Sequence, residues 1–196
     1  MKAFILSSVI IATVLTACGN NDTSSAETTQ STKDTTANAN TEINNTVTAQ
    51  TASVDEVVTT YIKLKNALAD DNGNQAANAG KQMSEAMIKL DVASFNADQK
   101  KMYDEVKEDI KEHAEHISTN GSKIEHQREH FDILSKDMYD LVKAFKPSQT
   151  LYVAHCPMYN DNKGANWLSE VKEIKNPYLG KKMPDCGEVK EEIKNE

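Results

Sequence analysis

Apolar residues recur at helical spacing between residues 54 and 146, and this periodicity constrains the fold more than any other feature of the chain. Val57, Val58, Tyr61 and Leu64 begin the first of four stripes with 3.6 residues per turn. The stripes predict helices from residue 54, over about 75–90 and 97–118, and from 122 to Pro147. Short connections between helices of this length favour an antiparallel four-helix bundle, so the predicted fold class is all-α.

Polar residues before two of these stripes predict where the helices begin. Ser53 with Glu56, and Ser122 with Glu125, have the spacing of capping boxes. In each pair the serine would accept a hydrogen bond from the first turn, and the glutamate would return one.

The N-terminus is typical of an exported protein. An apolar run over residues 3–15 follows Lys2 and is too short to span a membrane, so residues 1–17 are predicted to be a signal peptide. Residues 15–18, Leu-Thr-Ala-Cys, resemble the lipobox of bacterial lipoproteins, which implies acylation of Cys18. The residue after that cysteine is Gly19 rather than Asp, and in this the sequence resembles lipoproteins that are sent to the outer membrane. The alternative is an ordinary secreted protein with a free Cys18.

The segment over 18–53, from the lipidated Cys18, is predicted to be a disordered tether. Of the 35 residues in 19–53, 22 are Ser, Thr, Asn or Gln and none is aromatic. Such a segment cannot bury enough apolar surface to offset the entropy of ordering. The predicted location is therefore the cell envelope, with the folded domain held by lipid at the outer membrane and facing the periplasm.

Charge and motifs exclude two broad functions. The formal net charge of −8 argues against nucleic-acid binding. The chain has no zinc-protease, phosphate-loop or nucleophile-elbow motif, so we expect no enzyme, no catalytic residues and no organic cofactor. The oligomeric state is not indicated.

The last segment, 147–196, loses the periodicity and is predicted to be an irregular loop region packed on the bundle as part of the same domain. It carries Cys156, Met158, Met183 and Cys186, with His155 adjacent. Thiolate, thioether and imidazole are ligands that Cu(I) prefers, and thiolates also bind Zn(II). The alternative is a disulfide between the two cysteines, with methionines that only pack. Both alternatives require the two cysteines to lie close together.

Four histidines near the predicted turn at Asn120-Gly121 offer a second possible site. In an antiparallel hairpin they would lie within two turns of one bundle end, where imidazoles can bind zinc or copper. Interfacial histidines without a ligand are the alternative. The four are His113, His116, His126 and His130.

The C-terminal motif also carries a family resemblance. The segment from Tyr152 to Glu188, with its Tyr-Val-Ala-His-Cys-Pro-Met, Asn-Pro-Tyr-Leu-Gly and Met-Pro-Asp-Cys-Gly-Glu runs, resembles the domain of unknown function 3347 family, as does the run from Gln127 to Ser135. Members resemble envelope lipoproteins or tails of heavy-metal efflux adaptors. The resemblance implies metal binding by Cys156, Met158, Met183 and Cys186, with His155 as a further candidate.

Two functions follow as hypotheses. The first is a lipid-anchored sink or chaperone for a soft metal, most favourably Cu(I), whose partner is a heavy-metal efflux adaptor or pump. The second is a non-catalytic interaction domain that docks an envelope partner and is locked by a disulfide between Cys156 and Cys186.

Overall fold

The structure, a computed structural model, describes residues 53–194. The predicted signal peptide, the predicted acylation of Cys18 and the predicted tether up to residue 52 lie outside the described residues. Within the described part of the chain, no helix is long and apolar enough to cross a membrane.

Four long helices account for most of the described residues, as the periodicity predicts. They are Val54–Ala69 (α1), Gly73–Ile88 (α2), Ala97–Thr119 (α3) and Ile124–Phe145 (α4). A single 3₁₀ turn, Val92–Ser94, lies between α2 and α3. Each helix packs against the next one along the chain, α1 also contacts α4, and their apolar stripes share one hydrophobic core.

The predicted capping boxes at Ser53 and Ser122 do not form. Ser53 precedes α1 without a capping hydrogen bond from its side chain, and α4 begins after Lys123. A capping box forms instead at α3, where Asn96 Oδ1 accepts from the Gln99 amide at 2.9 Å and Gln99 Oε1 accepts from the Asn96 amide at 3.1 Å. The backbone conformation before a helix decides which nearby polar residue becomes the cap, and the spacing of residue types does not show it.

The prediction of an all-α chain with an irregular tail is wrong for the C-terminal region. Leu151–Cys156 (β1), Ala165–Ser169 (β2) and Glu188–Ile193 (β3) form an antiparallel sheet in the order β2-β1-β3. The strand β3 has the sequence Glu-Val-Lys-Glu-Glu-Ile and only Ile193 is buried, so it lacks the apolar alternation that identifies strands.

A left-handed turn joins β1 to β2. Asn160, Asp161 and Asn162 all have positive φ angles between 54° and 63°. Asn and Asp tolerate this conformation better than other residues with a side chain, because their short polar groups bond locally. The turn therefore depends on these three residue types.

The sheet shares the core of the helices. The Tyr61 hydroxyl on α1 lies 2.8 Å from Ser135 Oγ on α4 and accepts the backbone N–H of Leu168 on β2 at 3.1 Å. Trp167, which is 1% exposed, meets the Tyr178 ring edge to face at 6.0 Å. Helices and sheet are thus packed as one body of side chains rather than as a bundle with a loose tail.

A buried ion pair fixes the end of β2 to α1. Lys65 is fully buried, and its Nζ lies 2.8 Å from Glu170 Oε2. Asn66 also donates to Glu170, at 2.9 Å. Burial lowers the pKa of Lys65, while the hydrogen bond and charge of Glu170 oppose that shift. A buried charge of this kind tolerates little displacement of its partner, so it fixes the position of the residue that follows β2.

Candidate metal centres

Cys156 and Cys186 lie side by side at one edge of the sheet. Cys156 ends β1 and is fully buried, whereas Cys186 is partly exposed in the loop before β3. Their Sγ atoms are 3.2 Å apart and both are free thiols. The predicted proximity of two cysteines that are 30 positions apart in the chain is confirmed.

The buried side chain of Asn176 holds the loop that carries Cys186. Its Nδ2 donates to the Cys186 carbonyl at 2.6 Å, and its Oδ1 accepts the backbone N–H groups of Tyr178 and Leu179 at 2.8 and 2.9 Å. Its own N–H donates to the Pro184 carbonyl at 2.9 Å. The sequence does not indicate this role, because no pattern in it marks Asn176 as buried.

Gly187 allows the chain after Cys186 to pass close to β1. Its φ of 144° is a conformation that residues with a side chain rarely adopt. A Cβ at this position would lie 2.8 Å from the His155 carbonyl oxygen and 2.9 Å from the Trp167 ring. A larger residue would therefore push Cys186 away from Cys156.

Both methionines of the motif flank Cys186. The Cys186 N–H donates to the Met183 carbonyl at 3.2 Å, and the Met158 backbone amide hydrogen-bonds the Cys186 sulfur. Their side chains are 49% exposed at Met158 and 39% exposed at Met183. The fold therefore brings the backbones of four sulfur-bearing residues together and leaves two thioethers at the surface.

His155, the fifth candidate ligand, is not brought to the cysteine pair. Successive side chains of a strand point to opposite faces, so His155 and Cys156 diverge. The His155 ring lies against Gly164, and its Nδ1 is 2.7 Å from Asn166 Oδ1 on the paired strand.

The surroundings of Cys186 favour its protonated thiol. Burial is the main cause that raises the pKa of Cys186, followed by its hydrogen bond to Cys156, while the Met158 amide opposes the shift. A metal ion would have to displace these protons, because the thiolate is the ligand. Ion uptake by this pair therefore releases protons.

The four predicted histidines meet where α3 and α4 approach their connection. His113 Nδ1 lies 2.9 Å from His130 Nδ1, and His130 Nε2 lies 3.2 Å from His126 Nε2. The His116 ring stacks on His130 with centroids 4.4 Å apart. One ring nitrogen from each of His116, His126 and His130 lies within 4.8 Å of the others. The predicted clustering is confirmed.

The more enclosed members of the cluster resist protonation. Burial is the first cause that lowers the pKa of His113 and of His130, and the neighbouring histidines lower the pKa of His130 further. Neutral imidazole is the form that binds metal ions. The cluster thus keeps these two rings in the ligand form at lower pH than an isolated histidine.

Comparison with protein families adds a match over residues 57–150, to a family described as a protein of unknown function, DUF3347. This segment belongs to the domain of unknown function 3347 family. Comparison with curated proteins and with solved structures gave no match. The match covers the described helices from Val57 onward and ends just before β1, so it includes the four histidines and stops short of Cys156 and Cys186.

Within the 3347 domain, the α4 run that carries the family resemblance joins the helices to each other. Gln127 is buried and its Nε2 donates to the carbonyls of Gly73 and Ile117 at 2.9 and 3.0 Å. Ser135 bonds Tyr61, as described above, so this run contacts α1, the start of α2 and the end of α3.

Arg128 in the same run connects the 3347 domain to the cysteine-bearing region. It is 3% exposed, its Nε donates to the Pro177 carbonyl at 2.9 Å and its Nη2 donates to Asp71 Oδ1 at 2.6 Å. Asp71 in turn accepts the backbone N–H of Lys181 at 3.1 Å. The position of the loop over 176–187 therefore depends on a guanidinium on α4.

Proposed function

We propose that this protein binds a soft metal ion, most favourably Cu(I), through Cys156 and Cys186 with Met158 and Met183 beside them. The observation that carries the proposal is the 3.2 Å separation of two free thiols that lie 30 positions apart in the chain. Contacts of Asn176, Gly187 and Arg128 hold the loop that carries Cys186 beside Cys156.

The separation of the sulfurs suits shared ligation of one ion. Thiolates bind a zinc-sized ion at about 2.3 Å, so two thiolates on one ion lie at most about 4.6 Å apart. The Sγ atoms at 3.2 Å lie within that limit, so the pair needs only a small outward adjustment.

The methionines favour copper over zinc. A thioether is a soft neutral ligand that suits Cu(I) and is a poor ligand for Zn(II). Met158 and Met183 are both substantially exposed, so their thioethers are open to an ion at the surface. An ion held by buried Cys156 and by exposed thioethers lies near the protein surface, where it can be passed to another protein.

The rest of the chain suggests how such a site is used. We infer that the four helices form an antiparallel bundle that acts as a rigid base, and that Cys18 anchors the mature protein in the envelope. The proposed role is a non-catalytic metal sink or chaperone that passes ions to a heavy-metal efflux adaptor or pump.

The same proximity supports a second function. Thiols at 3.2 Å need little movement to form a disulfide, whose bond length is about 2.05 Å. In an oxidising compartment the bridge would leave no thiolate for a metal ion. The chain would then be an interaction domain with a locked C-terminal loop, docking an envelope partner.

Competition against a chromophoric Cu(I) chelator, under reducing and anaerobic conditions, tests the first function. The parent protein carries Cys18→Ser, so that no third thiol contributes. We expect one Cu(I) per chain, lost in Cys156→Ser and weakened in Met158→Leu combined with Met183→Leu. His155→Ala is the matched control and should bind as the parent does.

Equal copper retention by the parent, Cys156→Ser and the double methionine variant would refute the site. Thiol titration of protein purified without reductant then examines the alternative, because a bridged protein has two fewer reactive thiols than the reduced one.

A further inference from the structure

The ring nitrogens of His126 and His130 already lie at the spacing of two ligands of one metal ion. The Glu129 carboxylate lies 3.0 Å from His126 Nδ1 and can only accept, so that nitrogen carries the proton and Nε2 keeps a lone pair. His126 Nε2 faces His130 Nε2 at 3.2 Å. Carboxylate hydrogen bonds of this kind fix the tautomer of metal-binding histidines in many sites.

His113 allows His130 to present the same nitrogen. Without an ion, His130 donates from Nε2 to His126 and accepts at Nδ1 from His113. With an ion, His130 instead donates from Nδ1 to His113, whose own proton moves to Nε2. Each ring keeps one proton, so a change of tautomers alone leaves an Nε2 lone pair on both His126 and His130.

We propose that His116, His126 and His130 form a second metal site, for a divalent ion of the zinc and copper class, separate from the cysteine pair. A tetrahedral ion with nitrogens at about 2.0–2.1 Å places them about 3.3 Å apart. The 3.2 Å distance between His126 Nε2 and His130 Nε2 already fits this spacing. His116 lies within 4.8 Å of both and is exposed, so rotation of its side chain completes three ligands.

The donor set defines the class of ion. Three imidazoles suit Zn²⁺ and Cu²⁺, whereas Mg²⁺ and Ca²⁺ need several oxygen ligands. Glu112 Oε1 lies 3.8 Å from His116 Nε2, and Glu129 lies beside His126. These two carboxylates at the edge of the histidine cluster, together with the net charge of −8, attract a cation. Three protein ligands leave a fourth position for water or an exchanging group, which is typical of sites that do more than hold the fold.

Titration of the Cys18→Ser parent with Zn²⁺, in competition with a chromophoric chelator, tests this site. His126→Ala and His130→Ala should each weaken the histidine-bound Zn²⁺ at least tenfold. His155→Ala is the matched control, since it removes the histidine outside the cluster, and it should bind as the parent does. Cys156→Ser should keep this ion, which separates the site from the proposed Cu(I) site. Far-UV circular dichroism checks that each variant is folded.

A parallel titration with Cu²⁺ distinguishes imidazole ligation by its signature. Electron paramagnetic resonance of the parent, with its thiols oxidised beforehand so that they do not reduce Cu²⁺ to Cu(I), should show nitrogen hyperfine structure that is lost in His126→Ala and His130→Ala and retained in Cys156→Ser. The proposal is overturned if the parent binds neither Zn²⁺ nor Cu²⁺, if both histidine variants bind as the parent does, or if binding is lost only in Cys156→Ser. The proposed function could survive any of these results, because it is measured with Cu(I).

Discussion

One carboxylate on α4 lies in an environment that disfavours its charge. Asp137 Oδ2 is buried and has no hydrogen-bond partner among residues 53–194. Burial, followed by the negative charges of Asp109 and Asp140, raises the pKa of Asp137 to about 6. The folded protein therefore binds a proton at this site more tightly than the unfolded chain does.

The sign of this shift predicts a stabilising substitution. Because the folded pKa exceeds the unfolded value, the free energy of unfolding falls as pH rises from about 4 to about 6 and stays lower above that. Asp137→Asn should stabilise the protein at pH 7 by about 1 kcal/mol, after discounting for partial exposure, and have little effect at pH 4. Urea unfolding at both pH values measures this.

Asp161→Asn is the control for that measurement, since it removes an exposed carboxylate from a left-handed turn that tolerates either residue. An equal effect of Asp137→Asn at pH 4 and pH 7 would contradict the assigned cause.

The candidate sites were predictable from the sequence where spacing or chemistry alone decides. Histidines at i,i+4 spacing beside a turn meet in any tight helical hairpin, so the cluster of His126 and His130 with its neighbours followed from local geometry. Cys156 and Cys186 stood out by residue type. The orientation of His155 and the buried role of Asn176 depend on a sheet that the sequence did not reveal, so neither was predicted.

Among the elements, the loop over 176–187 is the one on which the cysteine geometry depends. Its backbone bonds converge on a single buried amide rather than on a repeating ladder. Loops of this kind are stable only as long as such a side chain satisfies them.

Replacement of Asn176 by Ala should therefore release Cys186. The substitution leaves the Cys186 carbonyl and two backbone N–H groups without their partner, at a cost of about 3 kcal/mol in the free energy of unfolding. We also expect Cys156 to react faster with a thiol reagent. Asn78→Ala, at an exposed position of α2, is the matched control: it should leave the thiol reactivity unchanged and should not lower the free energy of unfolding, because Ala has the higher helix propensity. Unchanged thiol reactivity in a destabilised Asn176→Ala would show that other contacts hold the pair.

The helices and the strands differ in how far the sequence determines them. Each long helix buries one stripe of side chains against its neighbours, so apolar residues recur in its sequence with a period of 3.6 residues. The strand β3 pairs with β1 across a long loop and exposes most of its side chains, including Val189 at 37%. Its pairing depends on tertiary contacts such as Asn176 and Gly187, which no local pattern encodes.

For the whole molecule, the proposed envelope role depends on lipid attachment at Cys18. Metabolic labelling with a clickable fatty acid should mark the wild-type protein and not Cys18→Ala, because the thiol of that residue is the predicted acylation site. Cys156→Ser in the otherwise wild-type chain should be labelled as the wild type is. Label on Cys18→Ala would place the lipid elsewhere, and no label on either would remove the lipoprotein assignment.

The redox state of Cys156 and Cys186 should also be measurable in the stability of the whole domain, because helices and sheet share one core. A bridge across 30 positions restricts the unfolded chain and raises the free energy of unfolding by about 3–4 kcal/mol in the chain-entropy treatment. For a domain of this size that corresponds to a Tm about 10 °C higher in the oxidised than in the reduced protein. Cys156→Ser should show no such difference.

Protein loaded with Cu(I) before exposure to oxidant should keep the Tm of the metal-bound form, because thiolates held by an ion cannot also pair with each other. Oxidation of the loaded protein at the same rate as the metal-free protein would mean that the ion is bound elsewhere.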